Sequence, residues 1–149
     1  MSKMPVSKQG FTSVLLAVDG SQVSMRAAEH AARIAKQDGA QLTAIHIVPS
    51  PPFEIPGEAA DYYDVARKNA KKWMHDVEGV AARFGVNFKS DIIVGAFSVV
   101  DAIVAYAESV SVDLIVSGTR GNTPSDRIRM GSVASGLVEY ASCSVLVIR

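Results

Sequence analysis

The stretch Asp113-Leu-Ile-Val-Ser-Gly-Thr-Arg-Gly121 is an apolar run that leads directly into two glycines. The run Asp113–Ser117 is continuous rather than alternating in polarity, which is typical of a strand covered on both faces of a parallel sheet. Because the glycines follow at once, we expect a tight loop at the carboxyl end of that strand. Four other runs have the same character: Ser13–Val18, Leu42–Val48, Asp91–Val94 and Ser144–Ile148.

Helical patterns occupy the intervals between the predicted strands, at residues 21–39, 62–84, from about 98, and 133–141. Ser21 is a suitable N-cap for the first helix, and Gly39 is a suitable residue after its end. Strands that alternate with helices predict an α/β fold with right-handed crossovers. The expected architecture is a single-domain, doubly wound, five-stranded parallel sheet of the Rossmann-like type.

Composition supports one globular domain and argues against several other classes. The chain has 149 residues, of which 48% are hydrophobic and 20% charged, and 15 basic residues balance 15 acidic ones. This balance argues against a nucleic-acid surface, and no apolar segment approaches the roughly 18 residues that span a membrane. The single cysteine cannot form an internal disulfide. We therefore expect a flexible N-terminal tail at residues 1–10, a domain at residues 11–149, and a cytoplasmic location without membrane or nucleic-acid partners.

The glycines after the fourth predicted strand form an extended pattern. Gly118 and Gly121 are followed, after nine residues, by Gly131 and Ser132 at the start of a predicted helix. Glycines let the main chain approach an anion, and free N–H groups at a helix start favour phosphate oxygens. Glycines that serve only tight turns would explain part of the pattern. The complete spacing in this position favours a phosphate-binding loop.

Two polar residues, one after a predicted strand and one within a predicted strand, could have either a structural or a ligand-binding role. Asp19 follows the first predicted strand and can accept hydrogen bonds from amides at the helix start, or from a ribose hydroxyl or adenine amino group. His46 lies within an apolar strand and is predicted to be a satisfied core residue. No histidine pair has metal-ligand spacing, and no nucleophile motif is present. The sequence thus predicts neither catalytic nor metal-ligating residues, and it leaves open whether the protein is an enzyme.

The pattern Gly118-x2-Gly121-x9-Gly131-Ser132 resembles the ATP-binding motif of the universal stress protein family. The resemblance covers almost the whole chain. It begins at Val14–Ser21, which is similar to the family's opening strand, and it extends to Val145–Ile148 at the end. It implies the adenine nucleotide alpha hydrolase-like variant of the Rossmann-like fold.

The resemblance also implies roles for individual residues. Ala17 and Asp19 match positions that contact adenine and ribose, and Ile47 matches an apolar position beside the adenine. The nucleotide-binding residues implied are Ala17, Val18, Asp19, Ile47, Gly118, Thr119, Arg120, Gly121, Gly131, Ser132 and Val133. The implied ligand is ATP, with AMP and ADP as alternatives, and Mg²⁺ would bridge the phosphates. A homodimer is implied through antiparallel pairing of the last strand, Ser144–Ile148.

Three functions remain open at this point. The first is an ATP-binding regulatory protein of the stress response that acts as a homodimer. The second is a slow ATPase or another adenine-nucleotide enzyme on the same fold. The third is a nucleotide-independent dimeric interaction module, which would contact an unknown protein partner through the last strand or through the helix that carries Trp73.

Overall fold

The computed structural model describes residues 10–51, 58–119 and 130–149. Within these ranges, strands and helices alternate along the chain. In order, they are β1 (Ser13–Ala17), α1 (Gln22–Asp38), β2 (Gln41–Pro49), α2 (Glu58–Phe84), β3 (Phe88–Ala96), α3 (Val99–Ser109), β4 (Leu114–Gly118), α4 (Ser132–Tyr140) and β5 (Ser144–Ile148).

The strands form one parallel sheet in the order β3-β2-β1-β4-β5. The chain proceeds from the central β1 to β2 and β3 on one side, and then returns to place β4 and β5 on the other. The direction of winding therefore reverses beside β1, and the connections there diverge to opposite faces. The predicted five-stranded, doubly wound α/β fold is confirmed.

Strand β3 is longer than its sequence pattern indicated. It was predicted at Asp91–Val94 and runs over Phe88–Ala96. The additional residues include the exposed Lys89 and Ser90, which interrupt the apolar pattern on which the prediction relies. β3 is an edge strand with β2 as its paired neighbour, so these polar side chains can reach water while the main chain remains in the sheet.

The core consists of two layers on opposite faces of the sheet. On one face α1 and α2 pack against Leu16 and Val116, and five alanines of α1 are buried there. On the other face α3 and α4 pack against Leu15 and Ile115. Successive strand residues point to opposite faces, so neighbouring residues such as Leu15 and Leu16 belong to different layers. Burial on both faces explains the continuous apolar runs.

Both predicted ends of α1 are confirmed. The hydroxyl of Ser21 accepts a hydrogen bond from the N–H of Ser24 at 3.1 Å, a contact type that stabilises a helix by about 1 kcal/mol. Gly39 has a φ of 67° and its N–H donates to the carbonyl of Ala35. Because that left-handed conformation is strained for other residues, glycine is the favoured residue where α1 turns toward β2.

The spacing of residues in α2 predicts a stripe on one side of the helix, and the structure differs from it in the middle. The predicted stripe consists of Tyr62, Ala66, Asn69, Trp73, Val77, Val80 and Phe84. Val77 and Val80 are buried as expected, but Asn69 is exposed and the neighbouring Ala70 and Met74 are buried instead. The helix also begins earlier than predicted, at Glu58. Contacts with α1, β2 and β3 select the side of α2 that is covered, and these contacts are not encoded in the periodicity of α2 alone.

Two sets of sequence predictions fall outside the described residues. Nine of the ten residues of the predicted N-terminal tail do so, and so do Arg120 and Gly121 of the glycine pattern. For both sets the sequence predictions stand untested.

Candidate functional site

An open cavity of about 620 Å³ lies at the carboxyl ends of β1, β2 and β4. Its walls come from those strand ends and from the first turns of α3 and α4. Ligands of open parallel sheets bind in this position, and the volume is typical of small-molecule sites. Eight predicted site residues line the cavity: Ala17, Val18, Asp19, Ile47, Gly118, Gly131, Ser132 and Val133.

Thr119 is a predicted site residue that does not line the cavity but supports its wall. Its buried N–H donates to the carbonyl of Ile148 at 2.7 Å, and its own carbonyl accepts from the N–H of Gly131 at 2.6 Å. The two hydrogen bonds connect the end of β4 to β5 and to the residue before α4. The two described ends of the glycine pattern are therefore held together.

Several apolar residues of the cavity were missed by sequence reasoning. They are Ile45, Val99, Ile103, Met130 and Ala134. Val99 and Ile103 are four residues apart and therefore lie on the same side of α3. The available signal was topological, because a helix that follows a parallel strand begins at the carboxyl edge of the sheet.

Asp19 makes a local turn directly after β1. Its Oδ1 accepts the N–H of Ser21 at 2.9 Å, whereas Ser21 itself is the N-cap of α1. Among the described residues, no hydrogen bond involves Oδ2 of Asp19. The two sequence interpretations are compatible, because one oxygen supports the chain before α1 while the other remains available to a ligand.

His46 is a satisfied residue on the face of the sheet opposite to the cavity's helices. Its Nδ1 lies 2.6 Å from the carbonyl oxygen of Val18, and because a carbonyl only accepts, Nδ1 carries the proton. The ring packs edge-on against Trp73 with a centroid distance of 5.0 Å. The prediction that His46 is a satisfied residue is confirmed, but the side chain is half-buried and lines the cavity rather than lying in the core. Its hydrogen bond holds the main chain immediately before Asp19.

The main chain of β2 continues past the end of β1 at the cavity. The β1–β2 pairing extends to Ala17 and Ile45, and the N–H of Val18 donates to the carbonyl of Ile45 at 2.8 Å. In a parallel ladder, the N–H and C=O groups of every second residue point to the same neighbour. Those of Ile47 therefore point toward the side of β1, where β1 has already ended, and present a donor and an acceptor to the crevice.

The N-terminus of α4 opens into the cavity and has no side-chain cap. In contrast, α1 and α3 are capped by the hydroxyls of Ser21 and Ser98. Since the N–H of Gly131 donates to Thr119, the first N–H groups of α4 without a hydrogen-bond acceptor among the described residues belong to Ser132 and Val133. Free amides and the positive end of the helix dipole make this terminus suitable for an anion.

Gly118 has a packing role that is independent of any ligand. A Cβ at this position would lie 2.7 Å from Cγ1 of Val23. Helix α1 thus lies too close to the end of β4 for a side chain to fit. Its neighbour Ser117 is buried, and the Ser117 hydroxyl donates to the carbonyl of Gly118 at 2.9 Å.

The described ranges contain neither a cluster of metal ligands nor a helix that could span a membrane. Across residues 10–51, 58–119 and 130–149, no group of three or more His, Cys, Asp or Glu could hold a metal ion. Within the same part of the chain, no helix has the length and apolar character required to cross a membrane.

Comparison with known proteins identifies the family. The sequence matches the family described as "Universal stress protein family" over residues 10–149. The chain belongs to this family. Its similarity to a universal stress protein of Methanocaldococcus jannaschii is 34% identity over 142 residues, which cover 93% of this chain and 82% of that relative.

Solved structures of the family share the fold. Universal stress protein UspA from Lactobacillus plantarum is 31% identical with a TM-score of 0.85, and the match covers 94% of this chain and 99% of that one. A universal stress protein from Archaeoglobus fulgidus in complex with dAMP is 24% identical with a TM-score of 0.71, over 93% and 98% of the two chains. The second similarity shows the fold alone.

Proposed function

We propose that this chain binds ATP in the cavity and acts as a homodimeric regulatory protein of the stress response. The observation that carries the proposal is the uncapped N-terminus of α4, which opens into an apolar cavity at the point where the strand order reverses. An anionic group and an apolar group of one ligand would both be accommodated there. A nucleotide has this combination.

The phosphates would lie against the start of α4. The N–H groups of Ser132 and Val133 and the hydroxyl of Ser132 supply donors, and the helix dipole adds a partial positive charge. Arg120 and Gly121 belong to the same proposal through the sequence pattern. Mg²⁺ binds substrate phosphates and usually retains several waters, so it would arrive with ATP without a dedicated protein cage.

The base and ribose would lie against β2 and β1. Ile47 offers one N–H and one C=O to the base, which matches the paired acceptor and donor on the edge of adenine. Ile103 and Val99 supply an aliphatic wall, and the remaining carboxylate oxygen of Asp19 would accept from a ribose hydroxyl. An adenine nucleotide, dAMP, is the ligand in the Archaeoglobus fulgidus structure that shares this fold.

The two edges of the sheet favour β5 as the dimer contact. On β3, the carboxylate of Asp91 accepts the N–H of Ile92 at 2.9 Å, and the exposed Lys89 and Ser90 lie beside it. Such polar features prevent edge-to-edge pairing. On β5, by contrast, the residues Val145–Ile148 are all apolar and only half-buried, so a second copy would cover them by antiparallel pairing.

A direct hydrogen bond connects the proposed nucleotide site with the proposed dimer contact. The N–H of Thr119, at the start of the glycine pattern, donates to the carbonyl of Ile148 in β5. A ligand that changes the position of the glycine loop would therefore act on the strand that pairs with a second copy. This connection supports regulation through nucleotide-dependent dimer geometry.

Isothermal titration with ATP and Mg²⁺ tests the proposal, with Ser132→Pro as the decisive variant. Proline is tolerated at the first position of a helix and removes one N–H, and Gly131 already has the extended conformation that a following proline requires. Hydrogen bonds to charged groups contribute about 1.5–3 kcal/mol. We therefore expect the Kd for ATP to rise about 10- to 100-fold.

Ser132→Ala is the matched control because it removes the hydroxyl and retains the N–H. It should weaken ATP binding less than Ser132→Pro does. Absence of heat from the unmodified protein at millimolar ATP would contradict the proposal. Equal ATP affinity of Ser132→Pro and the unmodified protein would contradict the phosphate position.

A further inference from the structure

Phe97 is a large apolar side chain that is fully exposed to solvent between β3 and the cavity-lining helix α3. Its relative exposure is 100%, although aromatic side chains usually bury most of their surface. Val99, only two residues further along, lines the cavity from the first turn of α3. Because consecutive Cα atoms are about 3.8 Å apart, the Cα of Phe97 lies within about 7.6 Å of that of Val99.

The main chain on both sides of Phe97 is fixed. Before it, the hydroxyl of Ser50 donates to the carbonyl of Gly95 at 3.0 Å, and the N–H of Ser50 donates to the carbonyl of Ala96 at 2.8 Å. After it, the hydroxyl of Ser98 accepts the N–H of Asp101 at 3.2 Å. Rotation of the side chain alone would move the ring, and exposed side chains rotate in picoseconds to nanoseconds.

The described wall of the cavity offers aliphatic surfaces to a ligand but no Phe, Tyr or Trp ring. His46 contributes to the lining, but its ring packs against Trp73 and is hydrogen-bonded to Val18. A purine in the cavity would therefore have Ile103 and Val99 on one side, and among the described residues no Phe, Tyr or Trp ring lines the cavity to cover its other face. Base–aromatic stacking is a common means of covering such a surface.

We propose that Phe97 is a base-recognition residue whose ring turns over the cavity mouth and stacks on the purine of the bound nucleotide. The proposal rests on the nucleotide-binding function proposed above, and it assigns to Phe97 a preference for ligands that carry an aromatic base. Binding transfers the exposed ring into contact with the ligand, so this apolar surface is covered only in the occupied state. The phosphate contacts at α4 are independent of the ring.

The test compares ATP with inorganic tripolyphosphate, which has the phosphates but no base. ATP affinity is measured by isothermal titration, and tripolyphosphate affinity by displacement of a fluorescent ATP analogue. Phe97→Ala should raise the Kd for ATP about 5- to 50-fold and leave the Kd for tripolyphosphate unchanged. Phe97→Trp should bind ATP more tightly than Phe97→Ala does, because it retains an aromatic surface at this position.

Val110→Ala is the matched control, because Val110 is also exposed, at 47%, and lies at the opposite end of α3. This variant should bind both ligands like the unmodified protein. Equal ATP affinity of Phe97→Ala and Val110→Ala would overturn the proposal for Phe97 while leaving nucleotide binding intact. A parallel loss of tripolyphosphate binding in Phe97→Ala would also overturn it, since a general disturbance of α3 would then be the cause. Failure of the unmodified protein to bind ATP would instead remove the proposed function itself.

Discussion

Asp113 holds together the starts of two central strands that are far apart in sequence. Its carboxylate accepts the N–H of Thr12 at 2.9 Å, the hydroxyl of Thr12 at 3.2 Å, and the N–H of Ser13 at 2.9 Å. Partial burial acts to raise the pKa of Asp113, but the hydrogen bonds from Thr12 and Ser13 outweigh it and lower the pKa below its ordinary value of 3.8. The charged form is therefore favoured in the folded protein.

The lowered pKa of Asp113 predicts how the stability of the folded protein depends on pH. A carboxylate with a lowered folded pKa stabilises the protein above its unfolded pKa, and this contribution is lost as the pH falls through the folded pKa. Asp113→Asn should lower the melting temperature at neutral pH by about 2–4 °C, because it weakens hydrogen bonds that contribute about 1 kcal/mol. Thermal melts from neutral pH to below pH 3.8 measure the difference.

The melting temperatures of the two proteins should converge as the pH falls through the folded pKa of Asp113, which lies below 3.8, because the carboxylate of the unmodified protein is protonated there. Asp91→Asn is a suitable control, because Asp91 is exposed and hydrogen-bonds the adjacent Ile92 N–H. If the difference in melting temperature between Asp113→Asn and the unmodified protein stayed constant down to the lowest pH, this account of Asp113 would be contradicted.

At the scale of elements, the two edge strands of the sheet have opposite properties. β3 carries polar side chains and an N–H that is bonded to Asp91, whereas β5 presents the half-buried run Val145–Ile148. The difference predicts which edge pairs with a second copy. It also explains why β5 was recognised from the sequence at its correct bounds, while the polar part of β3 was not.

Charge substitution on each edge tests this prediction. Val147→Lys places a cation on the half-buried β5 edge and should convert the proposed dimer to a monomer, because pairing would desolvate the charge. Ser90→Lys places the same charge on the exposed β3 edge and should leave the dimer intact. Light scattering coupled to size-exclusion chromatography measures the mass of both variants.

The edge assignment would be wrong if Ser90→Lys dissociated the dimer and Val147→Lys did not. A monomeric unmodified protein at high micromolar concentration would contradict the proposed homodimer. Circular dichroism of both variants shows whether the fold is retained.

At the scale of the whole molecule, the cavity is bounded by the carboxyl ends of three strands and by the N-terminal parts of α3 and α4. A ligand bound there contacts segments that are distant in sequence, and it binds the folded chain rather than the unfolded one. The stability of the complete domain should therefore depend on ligand concentration.

Addition of Mg²⁺-ATP at about 100 times its Kd should stabilise the folded chain by about 2.7 kcal/mol. For a domain of this size, we expect the melting temperature to rise by about 5–10 °C. Trp73 is the single tryptophan of the chain and is partly buried against the core, so its fluorescence reports unfolding. Ser132→Pro should show a smaller shift at the same ATP concentration, and an equal shift would contradict binding at α4.

The sequence by itself determined the order and type of the elements. Continuous apolar runs such as Val14–Val18 and Leu114–Val116 indicated strands buried on both faces, and Ser21 and Gly39 marked the ends of α1. These signals are local, since they depend on side-chain periodicity and on backbone conformations within a few residues. The position of the site at the carboxyl edge also followed, because parallel strands place those ends together.

Only the tertiary structure decided which residues share the cavity and which groups remain uncommitted. Val99 and Ile103 join the site because α3 packs across the sheet beside α4, and Phe97 is exposed because nothing in the described residues covers it. The N–H of Gly131 donates to the carbonyl of Thr119, whereas those of Ser132 and Val133 have no acceptor in the part of the chain that the structure describes. Such properties depend on contacts between segments far apart in the chain, and no local pattern encodes them.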